Sequence, residues 1–151
     1  MSHRVGVFAT ICDARGWVLL CHRRDCDFWC QPGGGLEAGE TPWEGVAREV
    51  REETGLEVCV ERLAGIYSWP TDDELILSFV CVATGGALTA SDESSEVAYF
   101  PPNALPANTF AEHAARIADA LAGHAEVMLC VPTVVSANVQ KRCAPASTDA
   151  R

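Results

Sequence analysis

The chain has 151 residues, 48% of them hydrophobic and 21% charged, with a formal net charge of −10 at pH 7. That size fits one domain with a sizeable single core. The acidic balance disfavours a nucleic-acid polymer as partner, because such a surface repels a phosphate backbone. It leaves a small phosphorylated ligand open, since a bound divalent cation reverses the local sign. No apolar run approaches the roughly 20 residues of a membrane-spanning helix. The N-terminal MSHRVGVFATICDARG lacks the apolar core and cleavage site of a secretory signal. A cytoplasmic protein without membrane or nucleic-acid partners, monomeric or homodimeric, is the expectation.

Residues 5–12 (VGVFATIC) read as a buried strand, 13–16 as a turn, and 17–22 (WVLLCH) as a second strand that closes a hairpin with the first. Arg23, Arg24 and Asp25 follow as a polar loop, in which Arg23 and Arg24 are candidates for a phosphate contact. Residues 28–32 lead into Gly33, Gly34 and Gly35, which with Pro32 break regular structure. Trp29 or Phe28 can stack on a base, or pack under this loop. A helix is expected over 42–54: Thr41 and Glu44 form a capping box, Pro42 suits the first turn, and Gly55 stops it.

Residues 56–67 are strand-like in their first half, 68–73 a polar turn, 75–83 (LILSFVCVA) a strong strand and 84–87 another turn. An acidic loop over 90–96 precedes a short strand at 97–100. A second helix over 109–121 starts on a Thr109–Glu112 capping box and carries an apolar stripe of Phe110, Ala114, Ile117 and Leu121, with His113 on its polar side, a surface residue. A last strand spans 127–135, broken at Pro132, and 136–151 form a polar tail. The chain therefore reads as one domain over 1–135 plus the tail. Most of the eight cysteines lie in apolar runs, where a free thiol behaves as a small buried side chain; the spacing of His22, Cys26 and Cys30 matches no common zinc pattern.

The first helix carries three carboxylates. At 100° per residue, Glu49, Glu52 and Glu53 fall within an arc of about 100°, beside an apolar stripe of Trp43, Val46, Ala47 and Val50. Arg48 and Glu52 are i,i+4 partners, as on a solvated face with ion pairs. Glu49 and Glu53 are a like-charged i,i+4 pair, which is unfavourable unless a cation joins them. The spacing alone leaves both readings open.

Gly34, Glu40, Arg48, Glu49, Val50, Glu52, Glu53, Gly55 and Leu56 fill every fixed place of the signature of the Nudix hydrolases, a MutT-like family that this stretch resembles. The resemblance covers residues 4–122 and implies an α/β (α+β) fold, an α/β/α sandwich with a mixed β-sheet between helices. It implies Mg2+, or Mn2+ in its place, held by Glu49, Glu52, Glu53 and a loop glutamate, for which Glu93 is chosen with Glu96 and Asp92 behind it. Glu53 or Glu93 would be the general base. Arg48 would orient a glutamate, Gly34 and Glu40 would shape the loop, and Gly34, Arg23, Arg24 and Trp29 would meet substrate. The implied reaction is cleavage of the diphosphate linkage of a nucleoside diphosphate derivative, leaning to a (d)NTP or modified nucleotide. ADP-ribose, NDP-sugars, dinucleoside polyphosphates and a silent nucleotide-binding domain are the alternatives. Residues 67–70 (YSWP) lie near where some subfamilies carry specificity residues, and match none of them well.

Overall fold

The computed structural model describes residues 2–132. Strand β1 (Arg4–Ile11) alternates cleanly: Val7, Ala9 and Ile11 have no exposed surface and face one side, while Phe8 and Thr10 face the other. It runs parallel to β6 (Glu74–Gly86) over eight residue pairs and antiparallel to the short β4 (Gly33–Gly35). The long β5 (Leu56–Trp69) pairs antiparallel with β6, and β8 (Met128–Cys130) adds parallel to β5. These five make a mixed sheet in the order β4-β1-β6-β5-β8. A second, antiparallel sheet has the order β3-β2-β7, from β2 (Val18–Arg23), β3 (Trp29–Cys30) and β7 (Ser94–Phe100).

Helix α1 (Pro42–Thr54) has the expected bounds. Thr41 Oγ1 accepts from the Glu44 N–H (3.2 Å), Glu44 Oε2 accepts from the Thr41 N–H (2.8 Å), and Gly55 takes φ 79°. Val46 and Val50, both wholly buried, pack on Val7, Ala9, Ile11, Leu19, Phe79 and Cys81. Each such valine stabilises the docked helix by about 1.5–3 kcal/mol. Trp43, assigned to the same stripe, is 57% exposed. Helix α2 (Ala111–Leu121) lies on the opposite face: its Arg116 guanidinium sits over the Phe8 ring (4.8 Å), and Tyr67 Oη donates to Asp119 Oδ2 (2.6 Å). Helices on both faces of a mixed sheet form the expected sandwich.

Several expectations fail. β1 and β2 form no hairpin: the turn at 13–16 is real, but the two strands enter different sheets, joined by the single bridge Cys12–Val18. β5 is extended throughout, and Ser68 and Trp69 belong to it; the reversal is the short 3-10 turn Pro70–Asp72. β7 begins at Ser94, inside the supposed acidic loop. Thr109 caps nothing: its hydroxyl donates to the Pro106 carbonyl (2.7 Å), and Phe110 occupies the N-cap. His113 is not on the surface but 2% exposed. Cys12, Cys21, Cys30, Cys59, Cys81 and Cys130 are free thiols, but the reading of a small buried side chain holds only for Cys21, Cys30 and Cys81; Cys12 and Cys130 are half-buried, Cys59 is exposed, and Cys26 is disulfide-bonded. The expected strand over 127–135 is seen as Met128–Cys130; residues 133–135, Cys143 and the tail lie outside the described residues. No helix among the described residues is long and apolar enough to cross a membrane.

Candidate active site

α1 presents Glu49 and Glu53, 9% and 8% exposed, toward the β4–β1 edge. The loop before β7 brings Glu93 to the same place, and one carboxylate oxygen from each of the three lies within 4.8 Å of the others. Two glycines allow this approach. The Gly33 N–H donates to Glu53 Oε2 (3.0 Å), and a Cβ at Gly33 would collide with the Val7 carbonyl oxygen. A Cβ at Gly34 would lie 2.8 Å from Glu49 Cδ.

Arg48 braces the signature loop. Its guanidinium donates twice to Glu40 (2.7 and 2.9 Å), to Glu49 Oε1 (3.0 Å), to Glu52 Oε2 (3.2 Å) and to the Gly35 carbonyl (3.2 Å). Glu40, whose own oxygen also accepts from the Glu37 N–H, is thereby held down at about 2. Glu52 has a side chain 57% exposed and is tied to Arg48; it is not part of the three-carboxylate group, so the structure places two of the three expected helix ligands together and leaves the third at the rim.

Burial pushes Glu53 well above the ordinary carboxylate range; the Gly33 amide opposes this, and the charges of Glu49 and Glu93 add to it. Burial also raises Glu49, against the pull of Arg48. Two buried carboxylates, Glu49 and Glu53, with the exposed Glu93 beside them, have the donor chemistry of a hard, oxygen-ligated divalent cation. The residues present fit such an ion, and its charge would offset the mutual repulsion.

The group opens on a cleft of about 440 Å³. Gly33, Gly34, Gly35, Glu49, Glu53, Asp92 and Glu93 line its acidic end; Phe8, Ile76, Phe110 and Trp69 supply apolar wall, with Arg4 and Glu74 also on the lining. Arg23 and Arg24 border it as well. Arg23 is held in a two-point pair with Asp25 (2.8 and 2.7 Å). Arg24 ties down the Glu93 loop: its N–H donates to the Glu93 carbonyl (3.0 Å) and its Nε to the Ser91 carbonyl (2.8 Å). The sequence offered no signal for this bracing, which depends on a β2–β7 pairing 70 residues apart. Trp29 is corrected: it is 8% exposed, packs edge-on to Phe100 (4.9 Å) in the core, and does not line the cleft. Phe28 stacks on Phe110 (4.8 Å) instead of standing free for a base. Of residues 67–70, only Trp69 reaches the cleft; Tyr67 is buried and points to Asp119.

Compared with known proteins, residues 2–121 match the NUDIX domain. A "MutT-like protein" of Streptomyces ambofaciens is 40% identical over 121 residues, 80% of this chain and 79% of its own. An "ADP-ribose pyrophosphatase" of Methanocaldococcus jannaschii is 39% identical over 62% of this chain and 59% of its own, and a "Putative 8-oxo-dGTP diphosphatase" of Bacillus subtilis is 31% identical over 67% and 68%. The crystal structure of an ADP-ribose pyrophosphatase from Streptococcus suis superposes with a TM-score of 0.72 at 24% identity, over 85% of this chain and 100% of that one, a likeness of fold. With its signature helix, its three converging carboxylates and a domain match over most of its length, the chain belongs to the NUDIX family and is a Nudix hydrolase.

Proposed function

We propose that the protein is a Mg2+-dependent pyrophosphohydrolase, with Mn2+ able to replace Mg2+, that cleaves the diphosphate linkage of a nucleoside diphosphate derivative, a (d)NTP or modified nucleotide in the first instance. The observation that carries this is the convergence of Glu49, Glu53 and Glu93 on a cleft that also has apolar and aromatic lining from Phe8, Trp69, Ile76 and Phe110, with Arg23 and Arg24 at its border. Such a cleft suits a ligand with a charged phosphate end and a flat, weakly polar base.

Glu49, Glu53 and Glu93 would hold the cation, with Glu52 reaching it only by leaving Arg48. A bound Mg2+ neutralises charge on the phosphate oxygens and lowers the pKa of a coordinated water. The chain's own part is positioning. Gly33 fixes Glu53, Arg48 fixes Glu49, and Arg24 fixes the loop of Glu93. A carboxylate of this group, Glu53 or Glu93, takes the proton of the attacking water. Arg23, already paired with Asp25, is placed to exchange that partner for a substrate phosphate. A cytoplasmic location goes with this reading.

A second substrate reading, ADP-ribose, is favoured by the 39% identity to the M. jannaschii protein of that name. Turnover of a panel of NTPs, oxidised dNTPs, ADP-ribose, NDP-sugars, NADH and dinucleoside polyphosphates, each with Mg2+ or Mn2+, tests both. Preferential hydrolysis of a (d)NTP supports the first reading. Preference for ADP-ribose replaces it with the second, and tight nucleotide binding with no turnover of any substrate would show a silent binding domain.

A further inference from the structure

Two buried side chains of α2 have no part in the chemistry above: Arg116 is 1% exposed and His113 2%. Polar groups at that depth are kept where their hydrogen bonds are made. Both reach one residue, Gln31, itself wholly buried. The Gln31 N–H donates to His113 Nδ1 (3.0 Å), and Arg116 Nε donates to Gln31 Oε1 (3.0 Å). Gln31 Nε2 completes the set with Thr10 Oγ1 (3.0 Å) and, more weakly, the Ala9 carbonyl (3.4 Å). Backbone and side chain of Gln31 are thus both held.

The bonds continue toward the carboxylates. The next carbonyl, of Pro32, accepts from the Ala9 N–H (2.9 Å), and the next N–H, of Gly33, is the donor to Glu53 Oε2 (3.0 Å). Arg116 makes no other hydrogen bond among the described residues: Nη1 and Nη2 are buried without one, and the guanidinium lies over Phe8, whose ring also borders Gly33. Besides this one directed bond, the guanidinium is supported by the charge of Glu112, also buried on α2, and its burial still costs desolvation that a hydrophobic side chain would not. Burial holds it down at about 10, and the neighbouring Glu112 charge opposes that shift.

We propose that His113 and Arg116 are positioning residues: by clamping Gln31 from the far face of the sheet, they place the Gly33 amide that fixes the buried Glu53 carboxylate for cation binding. The inference rests on the reading of Glu53 as a cation ligand. It separates these residues from ordinary core groups, whose loss would lower stability and nothing else.

The test uses the full chain without substrate. Arg116→Met removes the donor, His113→Phe keeps a ring but removes the acceptor, Thr10→Val is a mild change that loosens the Gln31 amide, and Arg116→Lys keeps a donor. The Mn2+ dissociation constant is read from the electron spin resonance of free Mn2+, and exchange of the Gly33 amide is followed by NMR in the metal-free protein. Arg116→Met and His113→Phe are expected to weaken Mn2+ binding by roughly 10- to 100-fold and to speed Gly33 exchange. Thr10→Val is expected to do both to a smaller degree, and Arg116→Lys to recover most of the loss. Unchanged Mn2+ affinity and unchanged Gly33 exchange in folded variants, whatever their melting temperature, would overturn the proposal, and Thr10→Val decides it if the larger deletions do not fold. Glu53→Gln is the reference. If it binds Mn2+ like the wild type, the ligand assignment of Glu53 is at fault, and Gly33 exchange still decides whether the clamp exists.

Discussion

The Gly34 backbone lies against the Glu49 carboxylate so closely that a methyl group there would sit 2.8 Å from both Cδ and Oε1. Gly34 does not need glycine for its backbone conformation; no positive φ is involved. The obstruction falls on the far end of a flexible side chain, which can swing away. Gly34→Ala is therefore expected to change stability by less than about 1 kcal/mol while weakening Mn2+ binding on the order of tenfold or more. Titration calorimetry beside a thermal melt checks this, and a large melting shift with intact Mn2+ affinity would contradict it.

Arg48, its side chain only 18% exposed, joins Glu40, Glu49, Glu52 and the Gly35 carbonyl. Lysine keeps the charge but not the two-point geometry. Arg48→Lys should lower stability by roughly 1–3 kcal/mol, measured by urea unfolding. The pH dependence follows from Glu40. Its folded value, held near 2 by Arg48, lies below the ordinary value of 4.5, so its contribution is present above about pH 4.5 and is lost as pH falls toward 2. In Arg48→Lys that acid limb should move to higher pH; an unmoved limb counts against the network.

Glu53 and Glu49 have the opposite sign. Their folded values are raised by burial, so the metal-free protein is favoured below about pH 4.5 and loses stability as pH rises through those raised values. A cation that binds only the folded state reverses the loss. The rise in melting temperature on adding Mn2+ should therefore be larger at pH 8 than at pH 5. Glu53→Gln, which removes the buried charge, should melt higher than wild type without metal at pH 8 and gain less from Mn2+. Equal Mn2+ shifts at both pH values would argue against burial as the source of the effect.

What was legible in the sequence was local. The bounds of α1 follow from Thr41, Pro42, Glu44 and Gly55, all within the helix or one residue of it, and its carboxylate arc follows from the helical period alone. The β1–β2 error shows the limit. Asp13 and Gly16 do make a turn, with the Gly16 N–H bonded to the Asp13 carbonyl (3.0 Å), but a turn does not say which strand pairs with which. β1 finds its longest partner in β6, some 70 residues on. α2 failed for another reason. An apolar stripe of Phe110, Ala114, Ile117 and Leu121 implies one buried face, yet Glu112, His113 and Arg116 are buried and Leu121 is 40% exposed. Hydrophobic periodicity cannot foresee polar side chains such as His113 and Arg116, buried with a hydrogen bond to a distant residue, here Gln31. Trp29 misled in the same way: a large aromatic beside the glycines looks available to a base, and only the packing of β3 on Phe100 shows that it is not.

The most direct test of the account is the Mg2+-dependent release of phosphate products by wild-type protein and Glu53→Gln on the best substrate of the panel. Turnover by the wild type should vanish on chelation, and Glu53→Gln should lose activity on the order of 100-fold or more with the fold intact. Wild-type turnover retained by Glu53→Gln, or unaffected by chelation, would contradict it.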